Sequence, residues 1–137
     1  MGTTNSQPKS CVSKTNISLV DAGHQKLAEI QSHIKERLKM ECNKSDLTEI
    51  FFTLSYFYEN YFIKEEIFLK KTGYPNLDKH SASHNDFIKE IEQLKDSINS
   101  DANAVLHELA GFIADWLRNH EASYNAELVN YITPSHK

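Results

Sequence analysis

His80 and His84 stand four residues apart in a helical pattern whose inward positions otherwise call for leucine. Leu77, His80, His84, Phe87, Ile91, Leu94 and Ile98 follow one another at spacings of three and four, so both imidazoles point with the apolar face. A neutral imidazole nitrogen is a good ligand for iron, zinc or copper, and a pair at i and i+4 grips one ion from adjacent turns. Alone, the pair is a weak signal, because a buried histidine is more often a hydrogen-bonded core residue than a ligand. The neighbouring stripes carry further misfits: His24 on the first, Glu65 on the second and His120 on the fourth. A carboxylate among aliphatic groups is costly unless it is paired or bound to a metal. Each misfit has its own local explanation: His24 partly exposed near a helix start, Glu65 paired with a lysine, His120 at a frayed end. One metal centre explains all five together. Imidazoles with a bridging carboxylate inside a bundle are the ligand set of non-heme iron, with zinc or manganese as chemical alternatives.

Four helical segments must bring these residues together. The first spans residues 18–40 and places Val20, His24, Leu27, Gln31, Ile34 and Leu38 on one stripe. The second starts near Ser45, read as its N-cap, and turns Leu47, Phe51, Leu54, Tyr58, Tyr61, Glu65 and Phe68 inward. Lys70, Lys71 and Gly73 suit its C-terminal end, and Pro75 prevents continuation. The third covers residues 76–98, followed by a break at Asn99-Ser100-Asp101. The fourth starts near Ala102 with Leu106, Leu109, Ile113, Trp116, His120 and Tyr124 on its stripe, extending to Leu128 or beyond before Thr133 and Pro134. Four amphipathic helices with short connections predict an all-α, antiparallel up-down-up-down four-helix bundle over residues 17–137. Residues 1–16, polar and without apolar periodicity, read as a flexible N-terminal arm.

Composition bounds what such a bundle does. A chain of 137 residues is long enough for one core and too short for two, and only 4 glycines and 3 prolines argue against a many-stranded β fold. A net charge of −4 supplies no basic surface for nucleic acid. Cys11 and Cys42 form no CxxC and no framework, so neither a disulfide scaffold nor a thiolate zinc site is expected. Without a signal-peptide core or a long apolar run, a cytoplasmic protein with no membrane span is expected. The N-terminal residues Met1-Gly2-Thr3-Thr4-Asn5-Ser6 fit the loose myristoylation pattern, with Cys11 as a second acylation site, but read more simply as a polar start. No Ser/His/Asp or Cys/His nucleophile arrangement and no phosphate loop is visible, so no enzyme with covalent turnover is expected. His33, His107 and His136 fall off the stripes and read as surface residues, while Phe62, Phe87, Phe112 and Trp116 read as packing.

The chain resembles the hemerythrin family, in particular the small single-domain bacterial hemerythrins. The resemblance rests on Asp21-Ala22-Gly23-His24, Tyr61-Phe62-Ile63-Lys64-Glu65-Glu66, Gly73-Tyr74-Pro75 followed by His80-Ser81-Ala82-Ser83-His84, and Trp116-Leu117-Arg118-Asn119-His120, in the family's order over residues 17–130. It implies a pair of bridged non-heme irons that bind O2 reversibly. Position by position, it implies that His80, His84 and His120 hold the first iron, His24 the second, and that Glu65 bridges them. Two positions depart from the family's pattern: Tyr61 stands where a histidine is expected, and Asn125 where a bridging aspartate is expected.

An amide oxygen is a poor anionic bridge, so Asn125 removes a negative charge and nearly all bridging capacity. A deprotonated Tyr61, favoured by coordination, would restore that charge, and a hard phenolate favours Fe(III) over the Fe(II) pair from which reversible O2 binding starts. An atypical, poorer oxygen carrier is therefore expected, binding, sensing or storing O2, NO or iron, with one or two irons per chain. Two alternatives accompany it: a mononuclear site of three histidines and one glutamate with Tyr61 protonated, or a metal-free bundle serving as an interaction module. Glu127, seven residues after His120, lies about 10 Å farther along a continuous helix, which makes it a doubtful replacement for Asn125. The expected partners are small diatomic ligands, with the chain monomeric or weakly oligomeric.

Overall fold

The computed structural model describes residues 17–132, and the side chains of Asn125, Ala126 and Ile132 lie outside that description, as do residues 1–16 and His136. The acylation pattern and the flexible arm therefore concern residues outside the described ones. Six α-helical stretches build the four rods of the bundle: α1 (Ser18–Leu38), α2 (Lys44–Phe57), α3 (Ile63–Thr72), α4 (Leu77–Lys95), α5 (Ala102–His120) and α6 (Ala126–Ile132). A π-helical turn, Tyr58–Phe62, joins α2 to α3, and a second, Glu121–Asn125, joins α5 to α6. Among the described residues there is no strand.

Rods pack as the short connections require, with α1 against α2 and α5, and α4 against α3 and α5. The beginnings of α1 and α4 and the far ends of the other two rods therefore meet at one end. The main apolar core, including Ile34, Leu54, Phe87, Ile91, Leu106 and Leu109, fills the bundle toward the opposite end. A smaller apolar cluster of Ile17, Val20, Leu69, Tyr74 and Leu128 caps the near end. Between them lie the buried polar side chains His24, Glu65, His80, His84 and His120.

Several local expectations need correction. The second rod is capped by Asn43 rather than Ser45: Asn43 Oδ1 accepts from the Asp46 amide at 2.9 Å, and the Asp46 carboxylate accepts from the Asn43 amide at 3.2 Å. That reciprocal pair satisfies two otherwise orphaned donors, which a serine at position 45 could not do for a helix starting at Lys44. On α1 the buried position is Ile30, with Gln31 half-buried, and on α5 it is Leu117, with Trp116 half-buried. α1 and α4 also end two to three residues earlier than periodicity alone suggests. The second rod departs most, because a π turn admits one extra residue and rotates all that follows. Phe57, Tyr58 and Phe62 go inward, and Tyr61 and Phe68 are only half-buried.

Gly73 closes α3 at φ 73°, where a β-carbon is strained, and Tyr131 of α6 donates its hydroxyl to the Thr72 and Gly73 carbonyls at 2.9 and 3.0 Å. Gly73→Ala is expected to cost about 1 kcal/mol of unfolding free energy, measured by urea denaturation, because alanine pays for the left-handed conformation.

Candidate metal centre

Each of the four rods contributes to the polar layer. Glu65 lies in the first turn of α3, His80 and His84 in the first two turns of α4, and His120 ends α5. One donor atom from each of these four residues lies within 4.8 Å of the other three, and all four side chains are buried. The Nε2 atoms of His80 and His84 approach the same Glu65 oxygen at 3.3 and 2.9 Å. Neither Nε2 is aligned for a hydrogen bond at that distance. The lysine pairing considered for Glu65, the exposed His24 and the frayed His120 are all excluded by this arrangement: Glu65 is 6% exposed, His24 7% and His120 2%.

The outer nitrogens decide how the rings present themselves. His84 donates through Nδ1 to Glu66 Oε2 at 2.7 Å, and Ser81 donates to the other Glu66 oxygen at 2.9 Å. Ser83 Oγ lies 3.0 Å from His120 Nδ1, and the Trp116 indole donates to the Ser83 carbonyl at 3.2 Å. Engaging Nδ1 leaves Nε2 of both rings as the inward nitrogen, the usual arrangement behind a metal-bound imidazole. Stacking fixes the ring planes: Phe62 lies on His84 at 3.9 Å and Trp116 on His120 at 4.4 Å. Glu66 and Ser83 were not picked out as functional from the sequence. Their signal is positional, since each adjoins a residue of the inward stripe.

Electrostatics follow from burial and from this crowding. Burial pushes the Glu65 carboxyl up, but the His80 and His84 imidazoles beside it outweigh burial and hold it well below the usual carboxylate range. Burial lowers the His120 imidazole well below its ordinary value, reinforced by His80 and His84, and it also lowers that of His24. His84 runs the other way: burial lowers it, but Glu65 and Glu66 together raise it. A carboxylate held in its anionic form among imidazoles, two of which, His24 and His120, burial disfavours in the charged form, is a donor set that a divalent or trivalent cation takes.

The inward nitrogens test that fit. His24 Nδ1 and Nε2, His80 Nδ1 and Nε2, His84 Nε2 and His120 Nε2 are buried without a hydrogen-bond partner. Each such group costs about 1–3 kcal/mol when left unsatisfied. Their concentration in one layer around one carboxylate is explained by a cation and by nothing in the apolar packing. His24 stands apart from the four-donor cluster, with its ring centre 6.0 Å from that of His120. Between them is a cavity of about 10 Å³, lined by His24, Tyr61, Glu65, His84 and His120 together with apolar residues of α1. Tyr61 stacks on Phe57 at 5.4 Å and lies on the His24 side of this cavity. Glu127 is committed elsewhere, accepting from Tyr74 at 3.0 Å and Asn76 at 2.7 Å, so it does not stand in for Asn125. His33 and His107 are exposed, as their place off the stripes implies.

Comparison with known proteins agrees with this geometry. The family model described as hemerythrin HHE cation binding domain matches residues 15–132. A bacteriohemerythrin of Clostridium acetobutylicum is 30% identical over 118 residues, covering 83% of this chain and 92% of that protein. A bacteriohemerythrin of Campylobacter jejuni is 26% identical over 116 residues, covering 85% of this chain and 87% of that protein. No solved structure matches the chain. The ordered histidine and glutamate motifs, the four-rod bundle with a buried Glu/His layer and the match over nearly the whole chain leave one assignment: this protein belongs to the hemerythrin family and is a non-heme iron-binding protein.

Proposed function

We propose that the chain binds iron through His80, His84, His120 and Glu65, with His24 and Tyr61 flanking a second position, and that it serves to bind or sense a diatomic ligand such as O2 or NO. The observation that carries the reading is the mutual approach of four donor atoms, one or more from three of the four rods, within 4.8 Å. Iron held there supplies a redox-active centre with coordination space for a small ligand. The chain's residues do the rest. Glu66 and Ser83 keep the His84 and His120 rings turned inward, Phe62 and Trp116 cover them against water, and Glu65 brings the negative charge that offsets the cation. The cavity of about 10 Å³ beside His24 and Tyr61 suits a ligand no larger than one or two heavy atoms.

Tyr61 and Asn125 set this chain apart from an ordinary O2 carrier. A phenolate at Tyr61 favours the oxidised metal, and the amide of Asn125 bridges poorly, so oxidation by O2 is expected to reverse incompletely. The test is optical: protein loaded with Fe(II) without oxygen is exposed to O2 and then flushed with argon. An intense visible band that persists under argon, and is lost in Tyr61→Phe, is the expected result. Full return to the colourless state, with the same spectra in Tyr61→Phe, would contradict it.

A second reading, a single iron held by three histidines and one glutamate, is favoured by the exclusion of His24 from the four-donor cluster. Metal content separates the two readings, at two irons per chain or one. In either case the chain acts as a binding protein rather than a covalent catalyst. No helix among the described residues is long and apolar enough to cross a membrane. A cytoplasmic location and residues 17–137 as one bundle domain complete the proposal.

A further inference from the structure

The outer face of the second rod carries large apolar side chains that the bundle does not cover. Phe52 is 79% exposed, Tyr56 65%, Ile63 53% and Ile67 50%. They run along one side of α2, the π turn and α3, on the face opposite Leu47, Leu54, Phe62, Glu65 and Leu69. Scattered exposed leucines need no explanation, but four large apolar groups in line on one helical face make a contiguous patch, the arrangement in which exposed apolar surface serves interaction.

Charge along the same face identifies what covers it. Glu49 is exposed before the stripe, and Lys70 and Lys71 are exposed after it. The rod thus presents an acid at one end of the apolar stripe and two bases at the other, with Glu59 and Lys64 exposed along its middle. Such a pattern is complementary to itself when reversed. In an antiparallel pairing with the two-fold axis between Glu59 and Asn60, Phe52 falls level with Ile67 of a second copy, and Tyr56 with Ile63. Glu49 then falls level with Lys70, one residue from Lys71. Lys44, also exposed, falls level with Pro75, and Lys64 with Ser55, rather than with a like charge. The two-fold lies within the π turn Tyr58–Phe62, so the apolar groups lie in equal numbers on either side of it. Glu59, exposed, lies beside the axis opposite Asn60, and the repulsion between its two copies weakens the pair.

We infer that this face is the interface of a homodimer in which the second rods of two copies pack antiparallel. A two-fold contact uses the same patch on both partners, as this stripe does. A seam of four apolar side chains per partner is small beside a permanent interface, so the dimer is reversible and concentration-dependent. The other three rods and the buried polar layer lie on the far side of the second rod from this seam, so dimerisation leaves the polar layer intact.

Sedimentation velocity of the full chain, run from low to high micromolar concentration, tests the inference. The expected result is a monomer–dimer equilibrium weakened roughly tenfold or more by Phe52→Glu, which puts a charge at an apolar contact without touching the core. Glu49→Lys is expected to weaken the dimer, and adding Lys70→Glu and Lys71→Glu in the same chain to restore it. Circular dichroism confirms that each variant keeps its helices. A chain that stays monomeric throughout, or a dimer unaffected by Phe52→Glu, would overturn the interface. Failure of the reversed charges to restore the dimer would overturn the antiparallel register.

Discussion

His84→Ala is expected to lower iron affinity by about a hundredfold or more, measured by competition with a chelator of known affinity. His84 supplies a donor to the four-residue cluster, and its ring is held from both sides, by Glu66 at 2.7 Å and by Phe62 stacked at 3.9 Å. A structural metal bound by four ligands is worth about 10–16 kcal/mol, so one ligand carries a few kcal/mol and each 1.4 kcal/mol is tenfold. Glu66→Gln makes the comparison sharper. It keeps the size of the side chain and removes the charge-assisted bond to Nδ1, for an expected loss of about 10–100-fold. Unchanged affinity in His84→Ala would mean that His84 is not a ligand. Because His84→Ala also removes a buried stack, the metal-free variant is compared with metal-free wild type, so that lost packing is not counted as lost affinity.

Phe87→Ala is expected to cost about 3–5 kcal/mol of stability in the metal-free protein, measured by urea denaturation, which is a large part of the 5–15 kcal/mol that holds a typical domain together. Phe87 is fully buried directly below the polar layer. Its ring meets Phe62 at 5.4 Å, Phe112 at 5.5 Å and Trp116 at 4.7 Å, and Phe62 and Trp116 are the rings that cover His84 and His120. The cavity left by alanine therefore opens under both covering rings. Iron affinity is expected to fall as well, although no ligand is altered. A cost under 1 kcal/mol, with affinity unchanged, would show that the layer is held by its own contacts rather than by the core beneath it.

Much of this was legible in the residues. Spacings of three and four identified four rods, and the five polar side chains on their apolar stripes are all buried in one layer, with Glu65, His80, His84 and His120 in one cluster and His24 beside it. His80 and His84 are the clearest case, because their fully buried rings fall on an uninterrupted α-helix where periodicity projects reliably. Tyr61 shows where projection fails. It sits inside the π turn, whose extra residue turns it part of the way out and leaves Phe57 and Phe62 inside, and no residue type announces such a turn. Asn43 and Ser45 are both good N-caps by residue type, and only the reciprocal bond with Asp46 chooses Asn43. Glu66 and Ser83 went unread for a different reason. Their roles depend on which nitrogen of a neighbouring ring points inward, a matter of three-dimensional arrangement rather than of pattern.

The most direct test of a cation among Glu65, His80, His84 and His120 is the iron content of the purified chain after anaerobic loading with Fe(II) and removal of free metal, read by elemental analysis alongside the melting temperature. One or two irons retained per chain are expected, and a second sample melted with free Fe(II) kept at a hundred times the dissociation constant is expected to melt about 10 °C higher than metal-free protein. Protein that retains no iron and melts at the same temperature with and without it would contradict the account.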